Sequence, residues 1–231
     1  MEQKINPTAY QRIVFFTGAG MSAESGIPTY RGKGGFWSQY DYEEYACQEA
    51  FERQPEKVLR FHELRRQAVL DCEPHEGHRV IAGMPETFVI TQNIDGMHQR
   101  AGSKKVIELH GSLWRLRCEE CGTMKEDFGR EYETLRCGCG CWLRPAITWF
   151  GDRLDEAVMQ QASEIIASCD LFISIGTSGT VWPAAGFPEL ARQSGAYCIE
   201  INPEPSGATS YHQTIRGKAG NVLPELFARE T

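Results

Sequence analysis

Long apolar runs are missing from this 231-residue chain. A membrane-crossing helix needs about 20 consecutive apolar residues, so no membrane partner is expected. The first ten residues, MEQKINPTAY, hold no apolar core of the kind that directs export, and a cytoplasmic protein is expected. Positive charge is also short: 24 Lys and Arg stand against 31 Asp and Glu, a formal net charge of −7. Phosphate backbones are held by clustered cations, which argues against nucleic acid as the main partner while leaving room for a local basic pocket. Internal repeats and low-complexity linkers are absent, so the parts of the chain are expected to pack on one another rather than hang from a spacer. Apolar content is ample at 41%, enough for one large domain or a core domain carrying a smaller one.

Four β-rich segments each run into a polar turn: RIVFFTGAG (12–20), TFVITQNIDG (87–96), DLFISIGTSG (170–179) and AYCIEINPE (196–204). Apolar strands of this kind belong to a parallel sheet buried on both faces, with its ligand site at the strand ends. Between them, DEAVMQQASEIIASC (155–169) repeats its apolar residues at helical spacing. The fold class is therefore α/β, a Rossmann-like parallel sheet. Two stretches break the alternation. Residues 36–80 are aromatic, then helical and charged; residues 111–146 are polar and cysteine-rich. Together they are expected to form a smaller module, leaving 1–35, 81–110 and 147–231 as the sheet domain.

The first turn reads GAGMSAESGIPTYRG over 18–32. Gly18 and Gly20 permit a tight turn and close approach to a pyrophosphate, with Ser22 and free backbone N–H groups as anion donors. Ala23 stands where the third glycine of G-x-G-x-x-G would fall. By itself such a turn fits a plain strand–helix connection as well as a phosphate site.

Further markers follow in order: TQNIDGMHQRAG (91–102), ELHGS (108–112), a two-pair cysteine cluster, LRPAITWFGD (143–152), GTSGTVWPAA (176–185) and EINPE (200–204). With the glycine-rich turn they resemble the signature of the sirtuins, NAD-dependent protein deacylases, over nearly the whole chain. The resemblance implies NAD bound between the sheet domain and a small zinc-bearing module. Gly18, Ala19, Gly20, Ala23, Thr29, Tyr30, Arg31 and Trp37 would line the first part of the NAD pocket. Gln92, Asn93, Ile94 and Asp95 would surround the nicotinamide ribose and amide, with Gln92 and Asn93 near the chemistry. Gly176, Thr177, Ser178, Asn202, Pro203, Glu204 and Ala219 would take the adenosine half. Residues 33–45 would be a mobile cofactor loop.

A histidine titrates near neutrality and suits a general base, but a lone one at a strand end is more often structural. The resemblance assigns His110 of ELHGS to the ribose. The acyl-lysine carbonyl oxygen would attack the ribose carbon that carries nicotinamide, and His110 would take a proton from the ribose hydroxyls. Nicotinamide, O-acyl-ADP-ribose and free lysine would leave. Trp149, Phe150 and Gly151 match the segment that pairs with the substrate peptide as an added strand.

Nine cysteines are an odd number, and five fall between 118 and 141, which reads as metal binding rather than a disulfide scaffold. Cys118 and Cys121 have the spacing of a zinc knuckle, and Cys137, Cys139 and Cys141 supply three thiols for two remaining places. Alignment on the following Leu-Arg-Pro favours Cys118, Cys121, Cys137 and Cys139, with Cys141 a competing neighbour. Four thiolates leave no open position, so one structural Zn²⁺ is expected.

RFHELRRQ (60–67) opens like the zinc-protease motif H-E-x-x-H, but the second ligand position holds Arg66. In the desuccinylase-type branch of sirtuins, common in bacteria, a Tyr-x-x-Arg on this helix reads the distal carboxylate of succinyl- or malonyl-lysine, beside an upstream Ala. Here Ala46 and Arg65 match that pattern and His62 replaces the Tyr. An imidazole can donate a hydrogen bond as the phenol does, but its reach is shorter. A deacetylase with added activity on acidic acyl groups, altered by His62, is the resulting expectation, with acyl-lysine proteins or peptides as partners. An NAD-dependent mono-ADP-ribosyltransferase and a non-catalytic zinc-binding interaction protein stay open as alternatives. Cys72, His75 and His78 are read as the start of a helix after Pro74 rather than a metal site. Trp37, Tyr40, Tyr42 and Tyr45 are expected to form a core under a loop. Val181, Trp182 and Pro183 belong near the peptide groove or in the core.

Overall fold

The computed structural model describes residues 4–29, 35 and 38–228. Strand β1 (Ile13–Thr17) is buried along its whole length and runs into the short helix α1 (Ala19–Ala23). Four helices follow: α2 (Tyr42–Tyr45), α3 (Gln48–Arg53), α4 (Pro55–Leu70) and α5 (Glu76–Ala82). Pro55 opens α4 at a position where no helical N–H is needed. His75 opens α5, its Nδ1 accepting from the Gly77 N–H at 3.0 Å. The chain then returns through β2 (Thr87–Thr91), α6 (Met97–Arg100) and β3 (Val106–Glu108). Strands β4 (Gly111–Cys118), β5 (Met124–Glu126) and β6 (Leu143–Ile147) form a separate antiparallel sheet in the order β5-β4-β6. The remainder is α7 (Glu156–Ala167), β7 (Leu171–Ile175), α8 (Phe187–Gln193), β8 (Tyr197–Asn202), β9 (Gln213–Arg216) and α9 (Ala219–Leu226).

The main sheet has the order β3-β2-β1-β7-β8-β9, and every pairing in it is parallel. This is the Rossmann-like arrangement expected from the apolar strands. The strand order reverses between β1 and β7, and ligands of such sheets bind beyond the strand ends at that reversal. Two of the six strands, β3 and β9, have no counterpart among the four apolar segments of the sequence. Both are edge strands with alternating or partial burial, so neither carries a continuous apolar run. One apolar layer packs on each face of the sheet. A third core joins Phe51, Leu59 and Val69 of the helical stretch to Leu113, Leu116 and Leu143 of the cysteine-bearing sheet.

The aromatic expectation for 37–45 needs correction. Trp37 lies outside the described residues, while Tyr40 and Tyr42 are 38% and 39% exposed. Tyr45 stacks on Phe61, Tyr40 meets both of these rings edge-on, and Tyr42 packs against Phe150. Helix α2 is one turn long and lies at the surface, so these rings cover apolar neighbours from outside. Among the described residues no helix is long and apolar enough to cross a membrane.

Candidate active site

At the sheet reversal the turns after β1 and β7 interlock. Gly20 donates its N–H to the Gly176 carbonyl at 2.9 Å, and a Cβ on Gly20 would lie 2.7 Å from the Gly176 Cα. Gly176 itself has φ +59°, and a Cβ there would meet the Met21 nitrogen at 2.5 Å. Only glycine fits at either position. Their contact forms the floor of a cavity of about 730 Å³ that runs between the main sheet and the smaller module.

Most of the residues expected at a cofactor site line this cavity. Gly18, Ala19, Gly20, Thr29, Gln92, Asn93, Ile94, Gly176, Thr177, Ser178, Asn202 and Glu204 are in its wall. Asp95 lines a smaller adjoining pocket of about 50 Å³ with Ser22, Ile27 and Pro28. Ala23, Pro203 and Ala219 line neither, and Ala219 is packed in the core beneath the sheet. Tyr30, Arg31 and Trp37 lie outside the described residues.

The polar groups are held from behind. Asn93 donates through Nδ2 to the Gly18 carbonyl (2.9 Å) and to Ser22 Oγ (3.1 Å), so the turn after β2 is tied to the turn after β1. Asn202 donates to the Thr177 carbonyl at 2.9 Å and ties the turn after β8 to the one after β7. Asp95 accepts the Met97 N–H at 2.9 Å and is almost fully enclosed; burial raises its pKa, with the hydrogen bonds opposing.

His110 sits at the end of β3, in the cavity wall. Its Nδ1 is 2.9 Å from the Gln92 carbonyl, which can only accept, so Nδ1 carries the hydrogen and Nε2 of the neutral ring carries none. Burial lowers its pKa, with the Gln92 hydrogen bond opposing. Gly111 follows at φ +76°, where a Cβ would lie 2.0 Å from the Ala146 carbonyl oxygen. The main chain at 110–111 is thereby pressed onto β6, and Thr148 donates its N–H to the His110 carbonyl at 2.9 Å.

Ala46, Arg65, Trp149 and Phe150 also line the cavity. Arg65 lines both the large cavity and the small pocket. Asp152 accepts from the Trp149 N–H (3.0 Å) and from Arg144 (2.7 Å), and the Arg144 guanidinium lies 3.6 Å from the Trp149 ring centre. Gly151, next in the chain, is exposed and does not line the cavity. Asp152, Thr148, Leu154, Pro205 and Ser206 also line it and were not singled out from sequence. Thr148 and Asp152 lie inside the motif LRPAITWFGD, and Leu154, Pro205 and Ser206 closely follow LRPAITWFGD and EINPE. Val181 and Trp182 are at the rim, with Trp182 75% exposed.

His62 is where the expectation fails in its details. It is 0% exposed, stacks on Trp149 at 12° between ring planes, and lies behind that ring rather than in the cavity wall. Its pKa is held well below the ordinary imidazole value, by burial first and then by the Arg65 and Arg144 cations. A protonated His62 facing a carboxylate is therefore not what this site offers.

The four cysteines favoured by the family alignment converge. The Sγ atoms of Cys118, Cys121, Cys137 and Cys139 all lie within 4.8 Å of one another, with Cys118–Cys139 at 3.5 Å and Cys121–Cys137 at 3.4 Å. A tetrahedral Zn²⁺ with bonds of about 2.3 Å places its sulfurs about 3.8 Å apart, so the donor set fits that ion. Cys141 stands outside the group; its carbonyl accepts the Cys137 N–H at 2.8 Å and closes the turn.

His75, His78 and His98 form a run of touching rings under the glycine-rich turn, with centres 4.3 and 4.9 Å apart. They are not among the described groups able to hold a metal ion. Burial pushes His78 down to about 2 and His98 to about 3. Both stay neutral in the fold but would take up protons in the unfolded chain below the ordinary value of about 6.5. Stability is therefore level above that pH and falls as the pH drops from 6.5 toward 4, by up to about 1.4 kcal/mol per pH unit for each ring. Urea midpoints measured from pH 7.5 to 5 check this; a level midpoint would contradict it.

Comparison with known proteins bears on the whole chain. The Sir2 family model matches residues 18–183. A protein of Aquifex aeolicus (strain VF5) named NAD-dependent protein deacylase is 47% identical over 93% of this chain and 93% of its own length. A crystal structure of a Sir2 homolog–NAD complex superposes with a TM-score of 0.87 at 41% identity, covering 96% of this chain and 90% of that one. A Sir2 mutant with a deacetylated p53 peptide and 3′-O-acetyl-ADP-ribose superposes at 0.82 with 29% identity, over 95% and 94% of the two chains.

Proposed function

This chain belongs to the Sir2 family, and we propose that it removes acyl groups from protein lysines with NAD as co-substrate. The observation that carries the reading is the cavity that joins the glycine interlock, Asn93, His110 and the Trp149–Phe150 segment, with Asp95 in the small pocket beside it. NAD fits that cavity by volume and by donor set, since drug- and cofactor-sized ligands occupy roughly 300–1,000 Å³. Ala19 would meet the NAD phosphates with its backbone N–H, while Gly18 and Gly20, whose own N–H groups go to the Ile175 and Gly176 carbonyls, would admit the phosphates by lacking a side chain. Thr177, Ser178, Asn202 and Glu204 would hold the adenosine end; Gln92, Asn93 and Asp95 would hold the nicotinamide end. When bound, NAD supplies an electrophilic ribose carbon and hydroxyls that receive the acyl group.

The chain's own part is orientation, exclusion of water and one proton transfer. His110 Nε2 would accept that proton, and the Gln92 carbonyl on Nδ1 keeps the ring in the required tautomer. Phe150, whose N–H already donates to the Ala46 carbonyl at 3.1 Å, would sit beside the peptide. Cys118, Cys121, Cys137 and Cys139 would hold one structural Zn²⁺, away from the chemistry.

Acetyl-lysine is the minimal substrate of this reading, and acidic acyl groups are its extension. Arg65, which lines the same cavity as Ala46, would receive a distal carboxylate through its planar guanidinium. His62 would contribute shape, as the backing of Trp149, and no charge. An acyl-peptide panel with NAD tests both parts, scored by release of nicotinamide and free lysine peptide. Arg65→Met is expected to lower the succinyl-to-acetyl ratio of kcat/KM by about tenfold or more, the worth of a hydrogen bond to a charged group. An unchanged ratio would remove the carboxylate role. Label transfer from NAD to protein without lysine deacylation would favour the ADP-ribosyltransferase reading.

A further inference from the structure

Helix α4 carries two consecutive arginines with opposite surroundings. Arg65 lines the cavity, whereas Arg66, about 100° further round the helix, is 0% exposed. Arg66 donates through Nε to the Gly129 carbonyl (2.8 Å) and through Nη2 to the Asp127 carbonyl (2.7 Å), and pairs with the Asp127 carboxylate. Its guanidinium lies over the Tyr132 ring at 4.3 Å. One turn back on the helix, Glu63 accepts the Tyr132 N–H at 3.0 Å. Asp127 in turn accepts the Glu133 N–H at 2.9 Å. The segment so gripped, 127–133, leads from β5 to Cys137 and Cys139.

We infer that Arg66 is a positioning residue for Arg65, a latch through which the cysteine-bearing module sets the rotation of α4 about its axis. The role rests on Arg65 reading the acyl carboxylate, as proposed above. Rotation of α4 moves both arginines together, and the planar fork of Arg66 is held at three points on one segment. Rotation would pull that fork off Asp127 and leave two buried charges unpaired, which is strongly unfavourable. The same rotation would carry Arg65 along the cavity wall. An acetyl group carries no distal carboxylate for Arg65 to pair with, so the latch would be felt by long acidic acyl groups and hardly by acetyl.

The test uses Arg66→Lys, which keeps the charge but loses the fork, and Asp127→Asn, which keeps the shape but loses the charge. KM and kcat are read separately for succinyl-lysine and acetyl-lysine peptides, with Arg65→Met alongside and amide exchange followed at Tyr132 and Glu133. Both variants are expected to raise KM for the succinyl peptide by about tenfold and for the acetyl peptide by less than about threefold, with faster exchange at both amides. Equal losses on the two peptides, or none, would overturn the latch while Arg65→Met still shifts the ratio. A ratio that Arg65→Met itself leaves unchanged would locate the failure in the carboxylate reading, and the latch would fall with it.

Discussion

His110→Ala is expected to leave the fold intact and to lower NAD-dependent deacylation by about 10²–10⁴-fold, the usual worth of a positioned general base. The fold should survive because the contacts that pin this corner belong to the backbone. Gly111 is pressed against Ala146, and the His110 carbonyl accepts from Thr148 whatever the side chain. The wild-type pH profile gives a second check. Burial lowers the His110 pKa, so the neutral base persists below the ordinary imidazole value, and kcat/KM should fall on the acid side only beneath about pH 6.5. Near-wild-type turnover of the alanine variant, or an acid limb at or above that value, would show that another group takes the proton.

Removing the metal is expected to have the other large effect. Cys137→Ser should purify without zinc, melt the smaller module and abolish activity, while Cys141→Ser should keep about one zinc per chain. The expectation follows from magnitudes: structural Zn²⁺ contributes about 10–16 kcal/mol in zinc-finger peptides, as much as the whole stability of a typical domain. Its loss would reach the site along β4, which ends at Cys118 and begins at Gly111, next to His110. Metal analysis with near- and far-ultraviolet circular dichroism distinguishes the outcomes. Full zinc in Cys137→Ser and none in Cys141→Ser would reverse the ligand assignment.

The segment RFHELRRQ shows how sequence and structure divide the information. Its pattern excludes a zinc protease, because Arg66 stands where a second histidine would be needed, and that exclusion required no coordinates. Spacing also puts positions 62 and 66 on one helical face. Neither the direction of that face nor its partners could be read. In the fold it points inward, His62 to Trp149 and Arg66 to Asp127, residues 61 to 87 positions away in the chain. The intervening residue Arg65, matched from sequence to the Arg of the Tyr-x-x-Arg pattern, is the one in the cavity wall.

The sequence by itself determined the parallel sheet, the turn chemistry at Gly18 and Gly20, and the Cys118–Cys121 half of the cysteine cluster, because each depends on local residue type and spacing. Fully apolar strands can be buried only on both faces, glycines are needed where backbones touch, and a C-x2-C pair presets two ligands of a tetrahedron. Only the tertiary structure decided what depends on packing between distant segments. It made β3 and β9 edge strands, brought Asn93 onto the Gly18 carbonyl, left Cys141 outside the sulfur cluster, and withdrew His62 behind an indole. For such side chains, burial and partners are set by the neighbours that close over them, and those neighbours lie too far along the chain for any local pattern to specify.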